Sequence, residues 1–271
     1  MRRRAGLLAF AIAVLAGAAA AAFFFVVRSP PPVPPAPKTA AIVDQLALTS
    51  PDPAFVWSAA ASLKAAGYTV DYVPTEQVTV DFYRQLPARG YGLVIVRGHS
   101  GFVFSDASAV AQEVRGTGET FLFTSEPYSA GTNVEDQSRR RLSAAVYLDP
   151  LGPVQSPDAL LQAFRTLPRY FGIKPGFIAS STQGRFNKTT VILMGCSGLA
   201  SPALAKAFVA KGAQAVVGWD DLVSAQHIDA ATERLLGHLL TDKLPLDTAV
   251  TQTAAESGPD PTYGGKLAVY K

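Results

Sequence analysis

Residues 190–198 read Thr190-Val-Ile-Leu-Met-Gly-Cys196-Ser-Gly198, an apolar run that ends in small residues around the single cysteine of the chain. A second run, Tyr91-Gly-Leu-Val-Ile-Val-Arg-Gly-His99-Ser-Gly101, ends in the same way but carries a histidine. Short, continuously apolar runs are typical of parallel strands that are covered on both faces by helices. We therefore predict that a thiol and an imidazole meet at one edge of a parallel sheet.

Strand and helix patterns alternate from residue 40 onward. Asp52-Pro53 and Ser201-Pro202 mark helix starts, and Gly67 and Lys211-Gly212 mark helix ends. This alternation predicts a doubly wound α/β domain over residues 40–271, with a mostly parallel sheet and helices on both faces. The strands are predicted at 41–48, 68–73, 93–96, 121–124, 144–147, 191–194, 213–217 and 266–270. Further helices are predicted at 80–86, 228–240 and 246–256, and a loop is predicted over 131–141.

The amino-terminal segment differs from the rest of the chain. Three arginines precede 23 residues without a charged or strongly polar side chain, from Ala5 to Val27, and Arg28 follows. A helix of that length spans about 34 Å, so residues 1–28 are predicted to be a single transmembrane helix. Since three arginines lie before the span and one after it, the domain is expected outside the cytoplasm. A cleaved secretory signal is the alternative.

Residues 29–39 are rich in proline and predict an extended linker between this anchor and the domain. Residues 1–28 hold four of the 24 basic residues and none of the 21 acidic ones, so the remainder carries a net charge of −1. That charge gives no basic face for nucleic acid, and we expect no nucleic-acid partner. One cysteine excludes an intrachain disulfide, and we expect no metal or cofactor.

The chemistry is expected beyond the carboxyl ends of the strands, where open α/β sheets bind ligands. A histidine beside a cysteine favours the reactive thiolate, which makes Cys196 a candidate nucleophile and His99 its base. Flanking glycines let backbone N–H groups approach a substrate carbonyl and form an oxyanion hole. A buried cysteine that only packs is the alternative for Cys196. Ser100 as the nucleophile of a serine-hydrolase elbow is disfavoured, because Phe102 stands where that elbow needs glycine.

These motifs resemble the caspase-like cysteine peptidases of clan CD, which include gingipains, legumain and the CHAT domains. The resemblance rests on a strand ending in His99 and a small residue, a later strand ending in Cys196 and small residues, and the continuation over 205–219. It implies that His99 is the general base and acid and that Cys196 is the nucleophile. It also implies an oxyanion hole from the backbone amide of Cys196 and one just after His99, at Ser100 or Gly101.

One departure from the family is that Ser100, rather than glycine, follows the histidine. In several relatives a carboxylate near the strand after the cysteine selects basic side chains. By that resemblance the specificity pocket is expected at Trp219, Asp220 and Asp221, with a solvated turn as the alternative for the two aspartates.

Together these observations predict a membrane-anchored, extracytoplasmic cysteine endopeptidase that acts on a peptide or protein substrate through a thioester. The membrane contact is expected through residues 5–27. A catalytically silent caspase-like module that binds peptide at the cell envelope is the alternative hypothesis.

Overall fold

The computed structural model describes residues 38–102, 119–148 and 157–271, all of them within the unit Ala36–Lys271. The predicted anchor 1–28 and most of the linker 29–39 lie outside these residues. Across the described part of the chain, no helix combines the length and apolarity needed to cross a membrane. The strands are β1 (Thr39–Asp44), β2 (Thr69–Val73), β3 (Leu93–Arg97), β4 (Ser100–Phe102), β5 (Thr120–Pro127), β6 (Leu142–Val146), β7 (Arg169–Ile173), β8 (Thr190–Met194), β9 (Ala215–Trp219) and β10 (Leu267–Tyr270).

The helices surround these strands and begin where the sequence offers capping groups. Asp52 accepts a hydrogen bond from the N–H of Phe55 at 3.0 Å, and Pro53 follows it as the first helical residue. Ser201 and Pro202 repeat this arrangement. The helices are α1 (Pro53–Ala65), α2 (Val80–Gln85), α3 (Val134–Ser138), α4 (Pro157–Thr166), α5 (Pro175–Ser180), α6 (Pro202–Ala210), α7 (Ala225–Leu236) and α8 (Leu246–Ser257).

Six strands of the described residues form the main sheet, in the order β10-β9-β8-β3-β1-β2. The pairs are parallel except for β10, which runs antiparallel to β9 at one edge. Strands β4, β5, β7 and β6 form a smaller antiparallel sheet. The chain is therefore α/β with a mostly parallel sheet, as its alternating pattern predicts.

Side chains of β3 alternate between two hydrophobic cores. Leu93 and Ile95 pack with α1, α7 and α8 on one face of the sheet, while Val94 and Val96 pack with α2, α5 and α6 on the other. A strand buried on both faces must be apolar at every position, which explains the continuous run in the sequence.

Three segments differ from the sequence-based expectations. The strand predicted over 41–48 ends at Asp44, and residues 46–48 form a 3-10 turn because the Asp44 carboxylate accepts the N–H of Ala47 at 3.2 Å. Residues 131–141, expected as a loop, include helix α3. Helices α4 and α5 and strand β7 had no predicted counterpart.

Candidate functional site

The pairing of β3 with β8 controls where the candidate residues meet. These strands are parallel neighbours at the centre of the main sheet, and Arg97 pairs with Met194 in their register. His99 and Cys196 each come two residues after that pair. The two motifs therefore leave the same edge of the sheet side by side.

The turns that follow the two strands contact each other through their backbones. The N–H of Gly98 donates to the carbonyl of Met194 at 3.1 Å, and the hydroxyl of Ser100 donates to the carbonyl of Cys196. A Cβ atom at Gly195 would overlap the carbonyl oxygen of Gly98 and lie 2.8 Å from Ser100 Oγ. Glycine at 195 is therefore required for this close approach.

The imidazole of His99 is held by the segment that follows β1. Its Nε2 lies 2.6 Å from Thr49 Oγ1, and the backbone N–H of His99 donates to Gln45 Oε1 at 2.8 Å. The ring also packs against Tyr147, with centroids 4.2 Å apart, and against the edge of Phe123. These contacts fix the ring on three sides.

The 2.6 Å contact between Thr49 Oγ1 and His99 Nε2 accommodates either tautomer of the ring. When Nε2 is protonated, its N–H donates to Oγ1, and the hydroxyl proton can donate to the carbonyl of Leu46, 3.4 Å away. In that tautomer Nδ1 carries the lone pair and is the basic nitrogen.

The thiol of Cys196 is half-buried and donates to the carbonyl of Val223 at 3.4 Å. Ser197 continues the turn with a positive φ of 55°, which bends the chain away from the strand. Within residues 38–102, 119–148 and 157–271, no backbone carbonyl accepts the N–H of Cys196, which contacts the residue's own Sγ.

No hydrogen bond joins the Cys196 thiol to the His99 imidazole within the described residues. Burial, and after it the positive charge of Arg97, lower the pKa of His99 to about 4. Burial also raises the pKa of Cys196, aided by the carboxylates of Asp260 and Asp221. Near neutral pH both groups are uncharged, so the resting pair is a thiol and an imidazole.

The backbone amides of Ser100 and Gly101, the two oxyanion donors predicted after His99, face opposite ways. The carbonyl of His99 accepts from the N–H of Phe123, and Ser100 and Gly101 then pair with Leu122 and Phe121 in the ladder of β4 and β5. Because hydrogen-bonded and non-hydrogen-bonded pairs alternate in an antiparallel ladder, the Ser100 amide faces away from β5.

The three residues of the expected specificity pocket lie in different environments. Trp219 is 1% exposed and packs in the core against the edge of His227, so it offers no open surface. Asp220 is exposed and accepts the N–H of Lys266 at 2.7 Å. The backbone carbonyl of Asp221 accepts the N–H of Ser197, which places Asp221 directly behind the cysteine turn.

Gln45 and Thr49 are site residues that the sequence patterns did not indicate. Both lie after the carboxyl end of β1, next to β3, where the chain connections diverge to opposite sides of the sheet. Such switch points are where open α/β sheets bind ligands. Because β1 ends at Asp44, that rule points to residues 45–49. The sequence-based prediction placed most of these residues inside a strand over 41–48 and therefore did not assign them to the site.

No protein-family model matches this chain, and no curated protein matches it significantly.

Proposed function

We propose that this chain is a cysteine endopeptidase on a caspase-like α/β domain, with Cys196 as nucleophile and His99 as general base and acid. The observation that supports it most directly is the register of β3 and β8, which starts both motifs from the paired residues Arg97 and Met194. A thiol and an oriented imidazole at the same sheet edge are the groups that covalent acyl transfer requires.

In the proposed reaction, His99 Nδ1 takes the proton of the Cys196 thiol as the sulfur attacks the carbonyl carbon of the scissile bond. The tetrahedral oxyanion accepts hydrogen bonds from the amides of Cys196 and Ser100. When the C–N bond breaks, the imidazolium gives its proton to the leaving amine, and a thioester remains. Water then attacks the thioester while His99 accepts a proton, and the departing sulfur regains that proton as the acid product leaves.

One contact must change for this reaction to begin. The thiol must leave the carbonyl of Val223 and approach Nδ1 of His99, whose ring keeps its contact with Thr49. Apo active sites often have loose geometry that tightens only when substrate binds. We therefore place this rearrangement at substrate binding.

The carboxylate of Asp221 supports a preference for a basic side chain before the cleaved bond. Its negative charge raises the pKa of Cys196, by less than burial or the charge of Asp260 does. Among the described residues, the carboxylate of Asp260 accepts four hydrogen bonds from Ser224, Thr262 and Tyr263, whereas that of Asp221 accepts one, from the N–H of Leu222 at 2.8 Å, so Asp221 is the better candidate for a cationic ligand.

The second candidate function is a catalytically silent caspase-like module that binds peptide. It is favoured by the separate hydrogen bonds of the thiol and the imidazole and by the uncharged state of both groups. The peptidase remains the better account, because packing alone does not require a hydroxyl that holds the His99 ring.

The proposed location is the cell membrane, with residues 5–27 as a single span and the peptidase domain outside the cytoplasm. It rests on the apolar length of that segment and on the arginines before it.

The deciding experiment incubates the full-length chain with a mixed peptide library and identifies products by mass spectrometry. The wild type should cleave internal peptide bonds, and Cys196→Ala should abolish cleavage. Cleavage that persists in Cys196→Ala would rule out the thiol as nucleophile. Peptide binding without cleavage by either protein would establish the silent module instead.

A further inference from the structure

Arg97 is a fully buried cation, two residues before His99 on strand β3. Its Nε and Nη2 donate to the two carboxylate oxygens of Asp229 at 2.8 and 2.7 Å, a two-point contact with helix α7. Its Nη1 donates to Asp44 Oδ1 at 2.9 Å, and Nη2 also donates to the carbonyl of Ser50 at 2.9 Å. The side chains of Arg97, Asp44 and Asp229 are at most 9% exposed.

Stability alone does not account for this cluster. Taking ions out of water costs several kcal/mol for each, and well-packed apolar residues in place of a buried ion pair are often as stable or more so. The neighbours before Arg97 on β3 are all apolar, so an apolar residue would suit the pattern of the strand. A buried arginine here calls for a role that depends on its geometry.

Two hydrogen-bond partners of the Arg97 guanidinium, Asp44 and the carbonyl of Ser50, are adjacent in sequence to residues that hold His99. Asp44 is followed by Gln45, which accepts the backbone N–H of His99. The carbonyl of Ser50 belongs to the residue after Thr49, whose hydroxyl contacts Nε2 of the ring. Segment 44–50 therefore contacts Arg97 and His99 through four hydrogen bonds, two to each residue.

We propose that Arg97 is a positioning residue that fixes segment 44–50, so that Thr49 and Gln45 hold the His99 imidazole in the orientation that leaves Nδ1 free. Its planar fork serves Asp229, Asp44 and the Ser50 carbonyl together, which the ammonium of lysine cannot reproduce. The effect on catalysis rests on the proposed peptidase function, whereas the effect on the state of the His99 ring does not.

The test compares Arg97→Lys, Thr49→Val and the double variant in the full-length chain. For cleavage, each single variant should lower kcat about 10- to 100-fold with KM changed less than about 3-fold, as expected when a catalytic group is misplaced. If Arg97 acts through Thr49, the double variant should be no more than about 2-fold worse than Thr49→Val. Losses that multiply in the double variant would overturn the proposal.

A second readout requires no activity. Nitrogen NMR of the histidine-labelled chain reports the tautomer and pKa of each ring, and His99→Asn assigns the signal. In the wild type we expect Nε2–H, and in Arg97→Lys a mixture of tautomers. An unchanged His99 spectrum in Arg97→Lys would contradict the proposal even if the wild type cleaves no peptide. Cleavage that persists in Cys196→Ala would instead contradict the peptidase function and leave the role of Arg97 in orienting the ring unaffected.

Arg84→Lys is the matched control. Arg84 also pairs with a buried carboxylate, Asp136, at 3.0 Å and donates to a backbone carbonyl, that of Ser181, but it does not contact segment 44–50. It should change stability without changing kcat or the His99 spectrum. Should Arg97→Lys fail to fold, Asp229→Asn breaks the same two-point contact while keeping Arg97, because an amide offers one acceptor oxygen in place of two, and the same outcomes apply to it.

Discussion

His99 is uncharged in the folded protein down to about pH 4, whereas its reference pKa is 6.5. Between these values the unfolded chain takes up a proton that the folded chain excludes. This contribution to stability is complete above pH 6.5 and is lost as the pH falls toward 4, at up to about 1.4 kcal/mol per pH unit. His99→Asn should therefore flatten the decline in unfolding free energy between pH 6.5 and 4.

Denaturant titrations of wild type and His99→Asn at several pH values measure this difference. His238→Asn is the control, because a hydrogen bond with Asp242 raises the pKa of His238 and its removal should not flatten the decline. Parallel pH profiles for wild type and His99→Asn would contradict the burial described for the ring.

Gly195→Ala tests the close approach of the two turns. The added methyl group would overlap the carbonyl of Gly98, a backbone atom that cannot move without displacing His99. We expect a loss of about 1 to 3 kcal/mol in unfolding free energy, the usual cost of overpacking, and a large loss of cleavage. Gly237→Ala, where a Cβ meets no atom within 4 Å, is the control and should retain activity. Full activity in Gly195→Ala would refute the described contact.

At the residue level, the sequence indicated His99 and Cys196 because apolar strands that end in small residues are local patterns. Gln45, Thr49 and Asp229 were not accessible in this way. Each meets the site through contacts between segments about 50 to 130 positions apart in the chain, and nothing in its own neighbourhood marks it.

Among the elements, helix α2 offers a test of capping away from the site. Thr79 Oγ1 accepts the N–H of Phe82 at 3.1 Å and caps its first turn. Thr79→Ala should lower the unfolding free energy by about 1 kcal/mol, whereas Thr79→Ser retains the hydroxyl and should cost less. Both should cleave peptide as the wild type does. A stability of Thr79→Ala equal to that of wild type would show that the cap contributes nothing.

The prediction of helices and strands succeeded where the hydrophobic pattern and the helix-capping residues agree. Helices α1 and α6 begin at an Asp-Pro and a Ser-Pro pair, and the buried strands β3 and β8 are continuously apolar. It failed for α5, which has only six residues, and for β7, which has five residues and contains a glycine. Short elements carry too few periods to be distinguished from loops, and tertiary packing selects them.

On the scale of the whole molecule, the strand order brings the two motifs together from positions almost 100 residues apart. The smaller sheet is built from the intervening chain, and β5 contacts the backbone of His99. A local pattern cannot specify such an order, but the α/β alternation restricts the possibilities enough to anticipate a common rim.

The membrane anchor is also a prediction about the whole molecule. The full-length chain should remain with membranes after alkaline carbonate extraction, and a variant lacking residues 1–28 should be released. Protease added outside intact cells should digest the domain. Release of the full-length, uncleaved chain by carbonate would contradict the transmembrane span.

The most direct test of the central claim is the rate at which a peptidyl acyloxymethyl ketone labels Cys196, measured by intact mass in wild type and His99→Ala. The single thiol of the chain makes the reading unambiguous. If His99 accepts the thiol proton, its removal should slow labelling by about 100-fold or more, while labelling of the denatured proteins stays equal. Equal labelling rates in the two folded proteins would contradict a Cys196–His99 peptidase.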